Sequence, residues 1–274
     1  MTNQIYPCLW FDGQAEAAAN FYCSIFKNSK VTMASPMVVN FELDGKKFMG
    51  LNGGPMFKFT PAISIFATFE TIEETNEVWD KLFEGGKALM PINKYDWSEQ
   101  YGWLQDKFGL TWQISVVNPS ATPQIKPSML FVNEKFGKAQ EAINLYTSIF
   151  EDSAIDLLVP YPETNNVMYA EFNLKKHDFI AMDGPGNHAY TFNEAFSLVV
   201  DCQNQEEIDT YWNQLTSDGG QESQCGWLKD KFGVSWQIIP TIIGSLMSNP
   251  EKGQKVMQAI MQMKKLDIEK LINA

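Results

Sequence analysis

Apolar positions along the chain follow two periods in turn, and that succession recurs. "YPCLWF" (6–11) is an apolar run of strand length, and behind it Ala15, Ala18, Tyr22 and Ile25 recur at helical spacing. Short strand-like stretches follow, the last two joined at Asp44–Gly45, a dipeptide suited to a tight hairpin. This half closes on the loop "NGGP" (52–55). A second run, "AISIFATF" (62–69), leads into another helical stretch, where Thr71 and Glu74 have capping-box spacing. Gly85–Gly86 ends that helix through the left-handed conformation glycine reaches cheaply. Strands are then predicted near 87–92, 101–106 and 110–117. The order is β-α-β-β-β, twice over.

All of this happens again. "NFYCSIF" (20–26) returns as "NLYTSIF" (144–150), and "NFELDGKKFMGLNGGP" (40–55) as "AEFNLKKHDFIAMDGP" (170–185). Trp79 aligns with Trp212, Gly85–Gly86 with Gly219–Gly220, and Asn204 with Glu207 repeats the capping spacing. The strongest echo is "GWLQDKFGLTWQI" (102–114) against "GWLKDKFGVSWQI" (226–238), which differ at three of thirteen positions. Repeats of this length are whole domains rather than solenoid units. Between them "NPSATPQIKP" (118–127) carries three prolines and no apolar period, so the seam falls there. The organisation expected is a domain over 1–119, a linker over 120–127, a second domain over 128–245 and a helical tail over 246–274. In that tail Val256, Ile260 and Met263 fall at helical spacing. The fold class is α+β, with four βαβββ modules.

Composition narrows the partners. A chain of 274 residues is long for one core and comfortable for two domains. Hydrophobic content of 45% with 20% charged residues argues against disorder. No apolar run nears the roughly 18 residues of a membrane-spanning helix, and the first residues do not read as a secretory signal. A cytoplasmic location is therefore expected. Net charge is −12, and all 21 basic residues are lysine, with no arginine. That balance argues against nucleic acid and membrane partners, and against a heavily phosphorylated ligand. Cys8, Cys23, Cys202 and Cys225 lie at no metal-ligand spacing and read as small hydrophobes.

The module order, with "AEAAANFYCSIF" after the first strand and "DKFGLTWQI" at the close, resembles the glyoxalase/bleomycin resistance/extradiol dioxygenase superfamily, the vicinal oxygen chelate fold. Within it, "GWLKDKFGVSWQIIP" and the tail "KVMQAIMQMKKLDIEKL" resemble the PhnB-like group, often labelled 3-demethylubiquinone 3-methyltransferase. The resemblance covers residues 4 to about 272. It implies two tandem glyoxalase-like domains, each a pair of βαβββ modules forming a curled mixed sheet with helices outside and a U-shaped cleft. In metal-dependent members, strands of the modules supply His, Gln and Glu to a divalent cation that polarises vicinal oxygens of the substrate.

Carried over position by position, that ligand set is thin. The first-strand His falls at Pro7 and Pro127, the second His at Ser64 and Ser197, and the last-strand Glu at Gln113 and Gln237. On the remaining strand the match lies within 50–52 and 181–183, where Asn52 and Asp183 are the polar residues and only Asp183 is anionic. The two histidines, His177 and His188, occupy none of these positions. Catalytic metals normally take two or three His or carboxylate ligands, so neither a metal nor another cofactor is expected. A nucleotide-binding G-x-G-x-x-G after a strand is absent as well.

Other chemistry has weak candidates. Asp183 and His188 in "MDGPGNHAY" could form a general-base pair, or merely bond within a surface loop. Strand alternation sends Trp112 and Gln113 to opposite faces, and likewise Trp236 and Gln237, which makes those tryptophans core. An amide on an apolar strand needs partners, either from the protein or from a ligand. Trp103 and Trp227 begin strands, as cleft wall or as core. Between helix end and "GWL" the first repeat has a ten-residue excess, read as a loop whose Tyr95 and Trp97 could wall a pocket.

The ligand-binding candidates are thus Asn52, Ser64, Trp97, Trp103, Gln113, Asp183, Ser197, Trp227 and Gln237. The function expected is metal-free binding of a small, largely apolar or aromatic molecule. The alternative is an enzyme of lyase, dioxygenase or methyltransferase type. A homodimer, or a pseudo-dimer of the two domains within one chain, is also expected.

Overall fold

Four modules follow one another with the expected order in each. The computed structural model describes residues 4–117, 122–248 and 250–274. The first module holds β1 (Ile5–Phe11), α1 (Ala15–Ile25), β2 (Lys30–Ala34), β3 (Val38–Leu43) and β4 (Lys46–Asn52). The second holds β5 (Ile63–Phe69), α2 (Ile72–Phe83), β6 (Lys87–Tyr95), β7 (Ser98–Gln105) and β8 (Thr111–Val116). The third holds β9 (Ile125–Phe131), α3 (Ala139–Ile149), β10 (Ala154–Pro160), β11 (Val167–Leu174) and β12 (His177–Asp183). The fourth holds β13 (Phe196–Cys202), α4 (Gln205–Thr216), β14 (Gln221–Glu222), β15 (Trp227–Lys229) and β16 (Ser235–Pro240). A tail of α5 (Ile243–Leu246), α6 (Pro250–Met261) and α7 (Ile268–Ile272) follows.

Local signals act where the chemistry requires. Asp44 and Gly45 both have positive φ (48° and 71°), as a two-residue hairpin turn between β3 and β4 demands. Thr71 Oγ1 accepts from Glu74 N–H at 3.1 Å, and Asn204 Oδ1 accepts from Glu207 N–H at 2.9 Å, so α2 and α4 are capped alike.

The modules assemble into two eight-stranded mixed sheets, each built from one module of either repeat. The first sheet runs β14-β15-β16-β13-β1-β4-β3-β2 and the second β10-β11-β12-β9-β5-β8-β7-β6. Module one therefore pairs with module four, and module two with module three. At the centre of the first sheet β1 and β13 run antiparallel with Cys8 opposite Ser197. At the centre of the second, β5 and β9 run antiparallel with Ser64 opposite Ser128.

The echoed stretch ties the two sheets together. Asp106, in the turn between β7 and β8, is buried and accepts four bonds. Its Oδ1 takes the N–H groups of Phe108 and Leu110, and its Oδ2 takes Trp112 Nε1–H at 2.9 Å and the Tyr22 hydroxyl at 2.8 Å. Tyr22 belongs to α1 of the first sheet, so this contact spans the seam between sheets. Asp230 repeats the arrangement with Phe232, Val234, Trp236 (2.9 Å) and Tyr146 of α3 (2.6 Å). Burial raises the Asp106 carboxyl to about 6 despite its four donors, and raises Asp230 for the same reason. Trp112 and Trp236 are fully buried beside these carboxylates, in one core with residues of all four modules.

Two expectations change. The excess between Gly86 and "GWL" is no loop but the body of a long antiparallel hairpin, β6–β7, in which Tyr95 pairs with Ser98. Register shifts at Ala88–Met90, Met90–Asn93 and Asn93–Tyr95 accommodate Pro91 within β6. The proline-rich stretch also ends sooner than expected, because β9 starts at Ile125; residues 118–121 lie outside the described residues.

Candidate functional site

Each sheet has one face under the module helices α1–α4 and an opposite face free of those four. On β1, Ile5, Leu9 and Phe11 join the main core, so strand alternation turns Tyr6, Cys8 and Trp10 to the helix-free face. Cross-strand partners place Ser197, Ser235 and Gln237 on that same face of the first sheet. In the second sheet the equivalent face carries Ser64, Phe66, Trp103, Gln113, Lys126 and Ser128.

At the middle of the second sheet three hydroxyls converge on one amide. Gln113 Nε2 donates to Ser64 Oγ at 2.7 Å and to Ser128 Oγ at 3.3 Å, while the Tyr101 hydroxyl donates to Gln113 Oε1 at 2.8 Å. Gln113 is 5% exposed and both serines 1%. Directly across from Gln113 on β7 stands Trp103, whose indole N–H is buried with no partner among the described residues. Burial pushes the Tyr101 phenol well above its ordinary range, so it stays protonated and able to donate.

Around this polar centre lies an aromatic wall from the β6–β7 hairpin. Tyr95 stacks on Trp97 with ring centroids 4.9 Å apart, and both rings abut Tyr101 at 5.7 and 5.8 Å. Trp97 is 65% exposed, which leaves an aromatic surface at the rim. On the other flank Lys126 Nζ meets Glu171 Oε2 at 2.7 Å, and the Tyr169 hydroxyl donates to Glu171 Oε1 at 2.6 Å. Burial alone would raise the Glu171 carboxyl, but the bonds from Lys126 and Tyr169 outweigh it and hold Glu171 below the usual range.

The first sheet has a related but different centre. Gln237 Nε2 donates to Ser197 Oγ at 2.9 Å, and the third position of the cluster is Cys8. Burial pushes the Cys8 thiol up to about 12, only partly offset by Gln237 and Ser197, so it is no thiolate nucleophile at neutral pH. Ser235 is also buried here, and its hydroxyl has no partner among the described residues. Trp10 lies between Phe57 and Trp227 at 5.1 and 6.0 Å, and its indole bonds Gly54 O. Any side chain at Gly53 would strike that ring, and Gly54 has the positive φ that glycine reaches cheaply.

Beside this centre the C-terminal tail takes up space. Ile239, on the face of β16 turned away from α1–α4, packs against the cluster of Val256, Ile260, Leu266 and Leu271. Cys225 and Gly226 donate backbone bonds to Met263 O and Lys264 O, both at 2.7 Å, and fasten the tail to the edge left short by the second repeat.

Several candidate residues serve the scaffold. Asp183 is buried on the helix side, and its carboxylate accepts from the N–H groups of Gly137, Ala139 and Val167 at 2.8, 3.1 and 2.7 Å. It anchors the start of α3. Asn52 does the same for α1, accepting from Ala15 N–H at 2.9 Å. His188 bonds Pro185 O through Nε2 and rests on Tyr190, so the contacts found for Asp183 and His188 do not join them. Pro7 and Pro127 alternate toward the helix side, and the residues brought to the glutamines are their neighbours Cys8 and Ser128. Both lie one residue beyond the positions that the resemblance implies. Tyr101 was missed too, although its place two residues before Trp103 gives it the same face.

Among the described residues no three His, Cys, Asp or Glu side chains gather as a metal site. The donors at the two centres are amides, hydroxyls and one protonated thiol, a set that does not fit a catalytic divalent ion. Two open grooves lie elsewhere. One of about 740 Å³ runs between the start of α4 and α7, and one of about 480 Å³ is lined by Phe136, Tyr161 and Pro185. Neither touches the chemistry-bearing faces.

Comparison with known proteins shows the family of the chain. The family model described as 3-demethylubiquinone-9 3-methyltransferase matches residues 3–115 and again 123–239. The chain belongs to this family, as two copies in tandem. Among solved structures, a Bacillus cereus PhnB protein described as a 3-demethylubiquinone-9 3-methyltransferase is 37% identical to this family member. The match covers 40% of this chain and 96% of that one, with a TM-score of 0.38. Glyoxalase I from Zea mays is 9% identical over 85% of this chain and 92% of its own, with a TM-score of 0.56, which shows a shared fold. A glyoxalase-related enzyme from Fulvimarina pelagi is 15% identical over 43% of this chain and 94% of its own, with a TM-score of 0.34. No curated protein sequence matches this PhnB-like chain significantly. No helix among the described residues is long and apolar enough to cross a membrane.

Proposed function

We propose that this PhnB-like chain binds a small, largely apolar or aromatic molecule on the helix-free face of the second sheet, without a catalytic metal. The observation that carries the reading is the chemistry at the paired centres. Where metal-dependent relatives would gather ionisable ligands, Gln113 meets Ser64, Ser128 and Tyr101, and Gln237 meets Ser197 and Cys8. Such groups recognise a ligand by hydrogen bonds and supply no strong Lewis base to a cation. The second sheet is favoured over the first because its polar centre adjoins exposed aromatic surface at Trp97, whereas the tail packs beside the first.

Metal content tests the reading directly. Protein equilibrated with nickel, zinc, manganese and iron and then desalted is expected to hold well under one equivalent of each. One tightly held equivalent overturns the proposal.

A further inference from the structure

The polar centre of the second sheet has more hydrogens to give than places to put them. Gln113 carries two amide N–H hydrogens, the hydroxyls of Ser64, Ser128 and Tyr101 carry three, and the Trp103 indole carries one. Three contacts join these groups, each using one hydrogen, and the Trp103 indole makes none. Three buried donors are therefore left over. Turning the Gln113 amide end for end alters which hydrogens are spare but not their number. The first sheet shows the same imbalance, since the Ser235 hydroxyl is buried and unpartnered beside Ser197 and Gln237.

Buried donors without acceptors are costly, and native proteins meet them with protein groups, water or a ligand. The missing partner here must accept. It must also tolerate the nearby charges, which are already balanced. Lys126, which sits opposite Phe66 on this face, is held by Glu171, so a free anion would compete with a carboxylate for it. Partly exposed Phe66, Trp103, Leu130 and Met182 share the face and offer flat apolar contact toward solvent.

We infer that the second-sheet site selects neutral planar compounds bearing a carbonyl-type oxygen, which the spare hydrogens of Ser64, Ser128, Tyr101, Gln113 and Trp103 bind. This rests on the proposed small-molecule reading and adds the ligand's chemical class. The donor cluster does for a ligand oxygen what a cation does elsewhere, by directed hydrogen bonds.

Matched probes separate the two ideas. 1-Indanone and indane differ in the carbonyl oxygen, as do 9-fluorenone and fluorene. Binding is followed by saturation-transfer NMR and by quenching of tryptophan fluorescence, with 9-fluorenone-2-carboxylate as the charged arm. Each ketone is expected to bind about tenfold more tightly than its hydrocarbon, the worth of one or two hydrogen bonds. The carboxylate is expected to bind more weakly than fluorenone. In Ser128→Ala, the milder variant because its contact with Gln113 is the longer, and in Ser64→Ala, the ketone preference should shrink to under about threefold. Melting curves of both variants show that the fold is kept. Equal binding of ketone and hydrocarbon overturns the acceptor inference while leaving the binding reading intact. A preference that survives both serine variants overturns the assignment to this cluster, and failure of every probe overturns both ideas.

Discussion

Single residues divide the echoed "DKFG-x-x-WQ" stretch between two tasks. Its aspartate and tryptophan face the helices and hold the two sheets together, while its glutamine faces away from them. Tyr22→Phe removes one bond from the buried Asp106 carboxylate and is expected to cost roughly 1.5–3 kcal/mol in denaturant unfolding. Asp106 also predicts a pH effect. Its folded pKa, about 6, lies above the ordinary carboxylate value near 4, so the folded state holds the proton more tightly. The stability it contributes is full below about pH 4 and is lost as pH rises through about 6. Asp106→Asn should lower stability overall, since its amide turns N–H toward other donors, yet flatten that pH dependence. Melting temperatures of both proteins between pH 4 and 7 check the sign. Asp183→Ala strands three backbone N–H groups and should cost about 3 kcal/mol or more, whereas His188→Ala should stay within about 0.5 kcal/mol. Equal effects of the two variants would contradict the helix-anchor role of Asp183. At this scale the opposite facing of Trp112 and Gln113 was legible, because side-chain alternation is a local rule. That Cys8 and Ser128, rather than Pro7 and Pro127, meet the glutamines was not, because pairing register is a property of two strands.

Among the elements, the two that distinguish the repeats also distinguish the sheets. The long β6–β7 hairpin carries Tyr95 and Trp97 to the rim of the second sheet. The tail packs Val256, Ile260, Leu266 and Leu271 beside Ile239 of the first. Shortening the hairpin through residues 92–97 should leave the fold intact and weaken ligand binding, as read by titration calorimetry. Ending the chain after residue 245 removes those four buried side chains, roughly 6 kcal/mol of burial at about 1.5 each, uncovers Ile239, and should lower the melting temperature sharply. A hairpin in place of the expected loop shows the limit of composition. Past the strand expected near 87–92, the stretch up to Tyr101 reads as irregular until the chain turns back on itself and β7 pairs with β8.

For the whole molecule, repeat and sheet are different units. Each sheet pairs a module from one repeat with a module from the other, so neither repeat alone holds a complete sheet. Residues 4–119 expressed alone leave β1 without β13 and β5 without β9. Unpaired strand edges recruit other chains, so this fragment should self-associate in light scattering, and co-expression with residues 122–274 should restore a one-to-one complex. A stable monomeric fragment would contradict this. Four βαβββ modules in two tandem copies were determined by the sequence itself, because apolar period, caps and turn residues act over a few positions. Which modules share a sheet was decided only in three dimensions. β1, β5, β9 and β13 are each parallel to the last strand of their own module and antiparallel to one another in pairs, so each pattern alone is compatible with more than one partner. The Asp106 and Asp230 turns join module one to two and module three to four across the sheets, within one core, so each sheet partner comes from the other repeat. That pairing also brings Gln113 to Ser128 across the seam between the repeats, and Gln237 to Cys8 near the opposite end of the chain, contacts that no local pattern could join.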